Sequence, residues 1–275
     1  MRRAVLAWAA AYGVLRIWFA TGHAPGWKLP GNDLLVPNWV AVVGCLITAL
    51  AVITIRPKLL WLLAAGWLAA AGFILLDLVA AVLPGLGIPF DPLGMLCRLG
   101  AIAGAVLLAL IARAHQPTPK AWPPWVAVTG AGLAVVGCLT RLGAQAVVGF
   151  GQTPFGGNRS VIIFQGGFLL VGTALPFLLV SPIGRRFPRW MLLLPGYVIG
   201  AGMSAYFGVG LIQMIVAVVQ GEPIFADIAL PDSFFWVAVP AYVVWGAGLL
   251  AATRGYQFAS TKASDSECDL QVTHG

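Results

Sequence analysis

Eight apolar stretches divide the chain, near 4–22, 36–55, 59–83, 94–113, 124–149, 161–181, 190–219 and 234–253. Several reach about 20 residues, the length a helix needs to cross roughly 30 Å of hydrocarbon. This pattern constrains the fold more than any other feature, because a segment in lipid has no water to satisfy its backbone. It must close its own hydrogen bonds, and an α-helix does so. Composition agrees: 60% of residues are hydrophobic and 9% charged, against about 25% charged in an ordinary soluble domain. The expected fold is an all-α polytopic membrane protein with eight transmembrane helices.

Lysine and arginine set the orientation, because short cytoplasmic loops retain them. With the N-terminus inside, the inner segments hold Arg2, Arg3, Arg56, Lys58, Arg113, Lys120, Arg185, Arg186, Arg189, Arg254 and Lys262. The outer loops hold only Lys28 and Arg159, together with the acids Asp33, Asp91, Glu222, Asp227 and Asp232. Both termini are therefore expected in the cytoplasm. The same distribution explains the net charge of +7, since basic turns attract anionic lipid headgroups. No soluble segment is large enough to read nucleic acid. Trp8, Trp61, Trp122, Trp125 and Trp190 fall near inner boundaries, and Trp27, Trp39 and Trp236 near outer ones, as an aromatic belt requires. A basic start before an apolar run also suits a signal peptide. Arg16 interrupts that run and no clean Ala-x-Ala site follows, so the first helix is expected to stay in the fold.

The chain reads as one membrane unit written twice. Asp91, Arg113 and Gln116 recur 141 positions later as Asp232, Arg254 and Gln257, with no gap. Asp91 before Pro92 is a natural N-cap, and Asp232–Ser233 is placed to cap the last helix likewise. GVLRIWFATG at 13–22 has a counterpart in GCLTRLGAQA at 137–146, PGN at 30–32 in GGN at 156–158, and RPKLLWLLAAGW in FPRWMLLLPGY. Each copy has four helices, an even number, so both enter the membrane the same way up. The copies are then two parallel four-helix repeats related by an axis along the membrane normal. The expected boundaries are 1–116 for the first unit, 117–122 for a cytoplasmic linker, 123–257 for the second unit and 258–275 for a polar, disordered cytoplasmic tail.

Ionisable residues inside spans are the candidate site, because a charge near the centre of the hydrocarbon costs at least ~2.5 kcal/mol. There are four: Arg16, Asp77, Arg98 and Arg141. At a 1.5 Å rise per residue all four lie in the outer half of the bilayer. Arg16 and Arg141 are the repeat-related pair. Asp77 and Arg98 belong to the first half alone, and their counterparts are neutral, around Phe207 and at Val239. Two readings stay open. In one, the arginines snorkel to outer phosphates and Asp77 neutralises one of them. In the other, the four line an outward-facing cavity with an excess charge of +2, suited to phosphate or carboxylate. Gln145, Gln152, Gln165, Tyr206 and Gln213 are placed to complete such a pocket, or to hydrogen-bond between helices. Gly100-xxx-Gly104 and Gly196-xxx-Gly200 permit close helix contact, and Pro195 is expected to kink its helix.

Nothing else carries chemistry. Cys45, Cys97 and Cys138 sit within spans and Cys268 in the tail, without a Cys-x-x-Cys pair. His23, His115 and His274 are too scattered for a metal or haem site, and no phosphate-binding loop is present. No cofactor, no metal and no catalytic residue is therefore expected. AYGVLRIWFATG followed by PGNDLLVPNW resembles the opening of small, uncharacterised bacterial four-helix integral membrane proteins, here in tandem. The resemblance implies a helical membrane fold and brings no activity with it. The expectation is a multi-pass bacterial inner-membrane protein that transports or binds a small anionic or amphiphilic solute. Its ligand contacts would be Arg16, Arg98 and Arg141, with Asp77 as counter-ion or proton-coupled group. Its partners would be membrane lipids, an anionic small molecule or lipid, and a further copy or another subunit. The alternatives are a membrane enzyme acting on a lipid-linked substrate, for which one embedded carboxylate is a thin catalytic set, and a non-catalytic scaffold.

Overall fold

A computed structural model describes residues 1–26, 36–83, 86, 88, 90–116, 122–150, 159–224 and 230–272, with side chains at 159, 160 and 260–272 excepted. Trp27, Lys28, Asp33, Lys120, Gln152, Asp227, His274 and the side chains of Arg159, Lys262 and Cys268 lie outside the described residues, as do the two loop echoes. Every regular element among the described residues is helical. Two compact units comprise Met1–Pro119 and Lys120–Gly275.

The first unit contains α1 (Arg2–Trp18), α2 (Asn38–Thr54), α3 (Pro57–Ala70), α4 (Ile74–Val82) and α5 (Pro92–Ala114). In the second are α6 (Pro124–Val148), α7 (Arg159–Val180), α8 (Arg189–Gln220) and α9 (Asp232–Val272). Six helices are long and apolar enough to cross a membrane, or seven if α3 and α4 form one span. The stretch expected as one span over 59–83 is two helices meeting at 41°. At the break Gly72 N–H bonds to Ala69 O and Ile74 N–H to Ala71 O, so the ladder tightens to i→i−3 for a turn. The second expected span, α2, has 17 residues, the lower end of the roughly 17–25 that can cross.

α8 is helical through Pro195, the proline expected to kink it. Past residue 258, where a disordered tail is expected, the backbone stays helical to Val272. No proline or glycine lies between 256 and 272, and extending a formed helix adds a hydrogen bond per residue without a new nucleation cost.

Buried faces follow helical spacing. α1 buries Val5, Ala9, Tyr12, Gly13 and Arg16, and α6 buries Gly130, Ala134, Gly137, Cys138 and Arg141 at the same spacing. α5 buries Gly94, Cys97, Arg98, Ala101, Gly104, Ala105, Leu108, Ile111 and Ala112. Every position 141 further on in α9 is also buried, from Phe235 and Ala238 through Trp245 and Leu249 to Thr253. The charged residues thus lie on the stripes that face the interior, as an amphipathic pattern inverted for lipid requires.

Small residues set the helix distances, in two ways. On α5, Gly100 and Gly104 make room for rings of α1: a Cβ at Gly100 would lie 2.9 Å from the Tyr12 ring, and Gly104 faces Trp8. Trp8 Nε1 donates to Gly100 O at 2.8 Å and Tyr12 OH to Cys97 O at 3.2 Å. Between α6 and α9 the backbones themselves meet. A Cβ at Gly137 would lie 2.6 Å from Ala241 O and 2.7 Å from Trp245 N. Gly196 and Gly200 of α8 face Thr253 and Leu250 of α9.

Among the described residues one non-glycine residue has a positive φ. Ile55, closing α2, has φ 45°, a left-handed conformation that is unfavourable for a β-branched side chain. Asparagine tolerates it, so Ile55→Asn is expected to stabilise the protein by about 1 kcal/mol, read as a higher melting temperature in detergent. A lower one would show that the packing of Ile55 outweighs its backbone strain.

Candidate functional site

Of the four intramembrane charges, Arg16, Asp77 and Arg98 belong to the first unit and Arg141 to the second. Arg98 and Asp77 form a fork. Arg98 Nε donates to Asp77 Oδ2 at 2.5 Å and Nη2 to Oδ1 at 2.9 Å, with both residues 1% exposed. The fork ties α4 to α5. Two parallel charge-assisted bonds are the strongest geometry open to this pair.

Asp91 is part of the same group, which sequence reasoning placed in an outer loop. Its side chain is buried and accepts from Gly94 N at 3.0 Å, capping α5, with Pro92 in the first turn. The side chain that Gly94 lacks would run into both neighbours: a Cβ there would lie 2.5 Å from Asp91 Oδ2 and from Arg98 Nη2. The signal was available in the spacing, because 91, 94 and 98 share one helix face. Arg16, also 1% exposed, donates from Nη2 to Val36 O at 2.9 Å and stands 5.8 Å from the Tyr12 ring. Among the buried charged residues of this unit, two arginines (Arg16 and Arg98) match two carboxylates (Asp77 and Asp91) in number.

The second unit differs. Phe207 and Val239, the positions expected to correspond to Asp77 and Arg98, pack in one apolar cluster with Met214, Phe234, Phe235 and Ala238. Arg141 is 6% exposed and forms no ion pair with a carboxylate among the described residues. Amides and rings surround it instead. Nη1 donates to Gln165 Oε1, and Nη2 donates to Gln145 Oε1 at 2.9 Å. Gln145 in turn donates to Gly149 O at 2.8 Å. The guanidinium lies 5.4 Å from the Tyr242 ring and 5.9 Å from that of Phe168.

Two buried donors in this cage have no hydrogen-bond partner among the described residues, Arg141 Nε and Gln165 Nε2. Leaving a buried donor unpaired costs about 1–3 kcal/mol, so their presence in one cage is a chemical signature. Of the other expected polar contributors, Tyr206 stacks edge-on against Phe207 at 4.7 Å and Gln213 is exposed. Neither joins Arg141. Among the described residues no group of three or more His, Cys, Asp or Glu is placed to hold a metal ion. No protein-family model matches the chain, and comparisons with characterised proteins and with solved structures find no significant similarity to any of them.

Proposed function

We propose that this chain is an eight-span bacterial inner-membrane protein with both termini in the cytoplasm. It is built from two parallel four-helix repeats and binds and moves a small anionic or amphiphilic solute at Arg141. The apolar helices support the membrane setting. Matching buried registers in α5 and α9, and in α1 and α6, support the tandem architecture. For eight spans, α3 and α4 count as one bent crossing and α2 as a short one. The charge distribution supports the topology.

Within this reading the four charges divide into different roles. Arg98 is neutralised by Asp77 and acts as a brace within the first unit. Arg141 carries the site, on one observation: a nearly fully buried guanidinium with amide and aromatic neighbours, no carboxylate partner among the described residues, and an unpaired donor on both Arg141 and the Gln165 it bonds. Both donors suit one oxyanion. A carboxylate or phosphate oxygen placed between Arg141 Nε and Gln165 Nε2 would complete their hydrogen bonds and neutralise the charge, and in a low-dielectric setting such bonds are strong.

The test is Arg141→Gln, which keeps a polar side chain but removes the charge. Purified wild-type protein is expected to melt at a higher temperature with at least one of phosphate, acetate or decanoate, and the variant with none. The unliganded variant should melt within a few degrees of wild type, because losing the amide bonds is offset by losing a charge that costs about 2.5–3.5 kcal/mol in the bilayer. Equal responses in both proteins, or no response to any of the three anions, would overturn the assignment. A large loss of unliganded stability would return Arg141 to a purely structural role.

A further inference from the structure

We infer a second anion site in the second unit, at the opposite end from Arg141: a groove that takes the phosphate headgroup of an anionic membrane lipid. It does not depend on the Arg141 reading. The groove encloses about 680 Å³ where the start of α6, the end of α7 and the 255–259 stretch of α9 meet. Its walls are apolar, with Pro124, Ala127 and Val128 on one side and Leu179 and Val180 on the other. Its mouth is basic.

Arg185 and Ser181 line the groove, and Arg254 packs against two of its lining rings. Arg185 lines the groove from the short 3₁₀ turn Pro182–Arg186, and Tyr256 OH holds that turn by donating to Gly184 O at 3.2 Å. Arg254 lies with its guanidinium 5.2 Å from the Trp122 ring and 5.6 Å from that of Phe258, both of which line the groove. Its Nε has no hydrogen-bond partner among the described residues. Neither has Ser181 Oγ, a buried hydroxyl in the groove wall. Among the described residues no acid lines the groove. One lining cation, a second packed on the lining rings and an unused hydroxyl match a phosphate with no amine of its own to cancel the charge.

The walls select a lipid over a soluble phosphate. Val128 is 59% exposed and Val180 38%, so the groove opens along the apolar flank of the helices, where an acyl chain continues from the headgroup. Trp122, at the groove mouth, is the residue type that favours the headgroup level of a bilayer. Basic pockets between helices at a membrane's cytoplasmic face bind such headgroups, with about 1 kcal/mol from each arginine or lysine.

The experiment is native mass spectrometry of the full chain from nanodiscs of equal phosphatidylglycerol and phosphatidylcholine. Wild type is expected to retain one phosphatidylglycerol in preference to phosphatidylcholine. Arg185→Gln and Arg254→Gln should each weaken retention about fivefold, while Arg254→Lys keeps most of it. Arg2→Gln/Arg3→Gln, which removes charge outside the groove, should leave retention unchanged. Added inorganic phosphate should not displace the lipid. Unselective retention, equal retention in wild type and both glutamine variants, or an equal loss in the Arg2/Arg3 control would overturn the site. Displacement by phosphate would overturn the lipid assignment in favour of a soluble phosphate. Circular dichroism of each variant separates lost binding from lost folding.

Discussion

Asp77→Asn is expected to destabilise the first unit by about 3–5 kcal/mol, the usual cost of removing one partner from a buried ion pair. Arg98 then keeps its charge, while the fork of 2.5 and 2.9 Å bonds is reduced to at most one bond to a neutral oxygen. Asp91, on the far side of Gly94, remains near the guanidinium and sets the lower end of that range. The second unit suggests the remedy, because Val239, the position expected to correspond to Arg98, lies in an apolar cluster that includes Phe207. The double variant Asp77→Leu/Arg98→Val removes both charges together, and replacing a buried pair by apolar side chains is often neutral or stabilising. Thermal unfolding of the three proteins in one detergent decides the matter. A double variant as unstable as the single one, or an Asp77→Asn protein that melts with wild type, would show that the fork is not what holds α4 to α5.

Gly137→Leu is expected to cost at least about 3 kcal/mol, at or beyond the top of the usual overpacking range. The atoms nearest the missing Cβ are backbone, Ala241 O at 2.6 Å and Trp245 N at 2.7 Å. A flexible side chain would swing aside; a helix backbone moves only as a whole. Separating α6 from α9 also draws Tyr242 away from Arg141, so anion binding should fall with stability. Gly132 is the control on the same helix, since a Cβ there meets nothing within 4 Å. Gly132→Ala should be neutral or slightly stabilising, because alanine is the better helix former by about 1 kcal/mol. Size-exclusion profiles with unfolding curves check both variants, and matching behaviour of the two would refute the backbone-contact argument.

The brace was readable as a possibility from sequence, because an isolated acid in a span needs a cation and Arg98 lay one helix away. Which arginine it would take was not readable. That choice depends on α4 being a separate short helix, bent by 41° from α3, and the apolar run through 59–83 gives no sign of the break. Gly100 and Gly104 were read correctly as sites of close approach but with no indication of what approaches. The spacing is the same whether a helix backbone or the rings of Trp8 and Tyr12 fill the space. Asp91 was read as a cap, which it is; its proximity to Arg98 needed the helix face on which Gly94 leaves a gap.

The sequence by itself determined that these residues form apolar helices, where most of them start and stop, and which few positions within them carry charge. Those properties are local: they depend on transfer from water to lipid and on backbone hydrogen bonding along one segment. Tertiary structure alone decided the partners. It joined Asp77 to Arg98 across two helices, gave Arg141 amides and aromatic rings in place of an acid, and formed a groove lined by Arg185 and Ser181 with Arg254 packed on its rings. Pairing energy depends on distance and burial between segments far apart in the chain, and no pattern along a single helix encodes either.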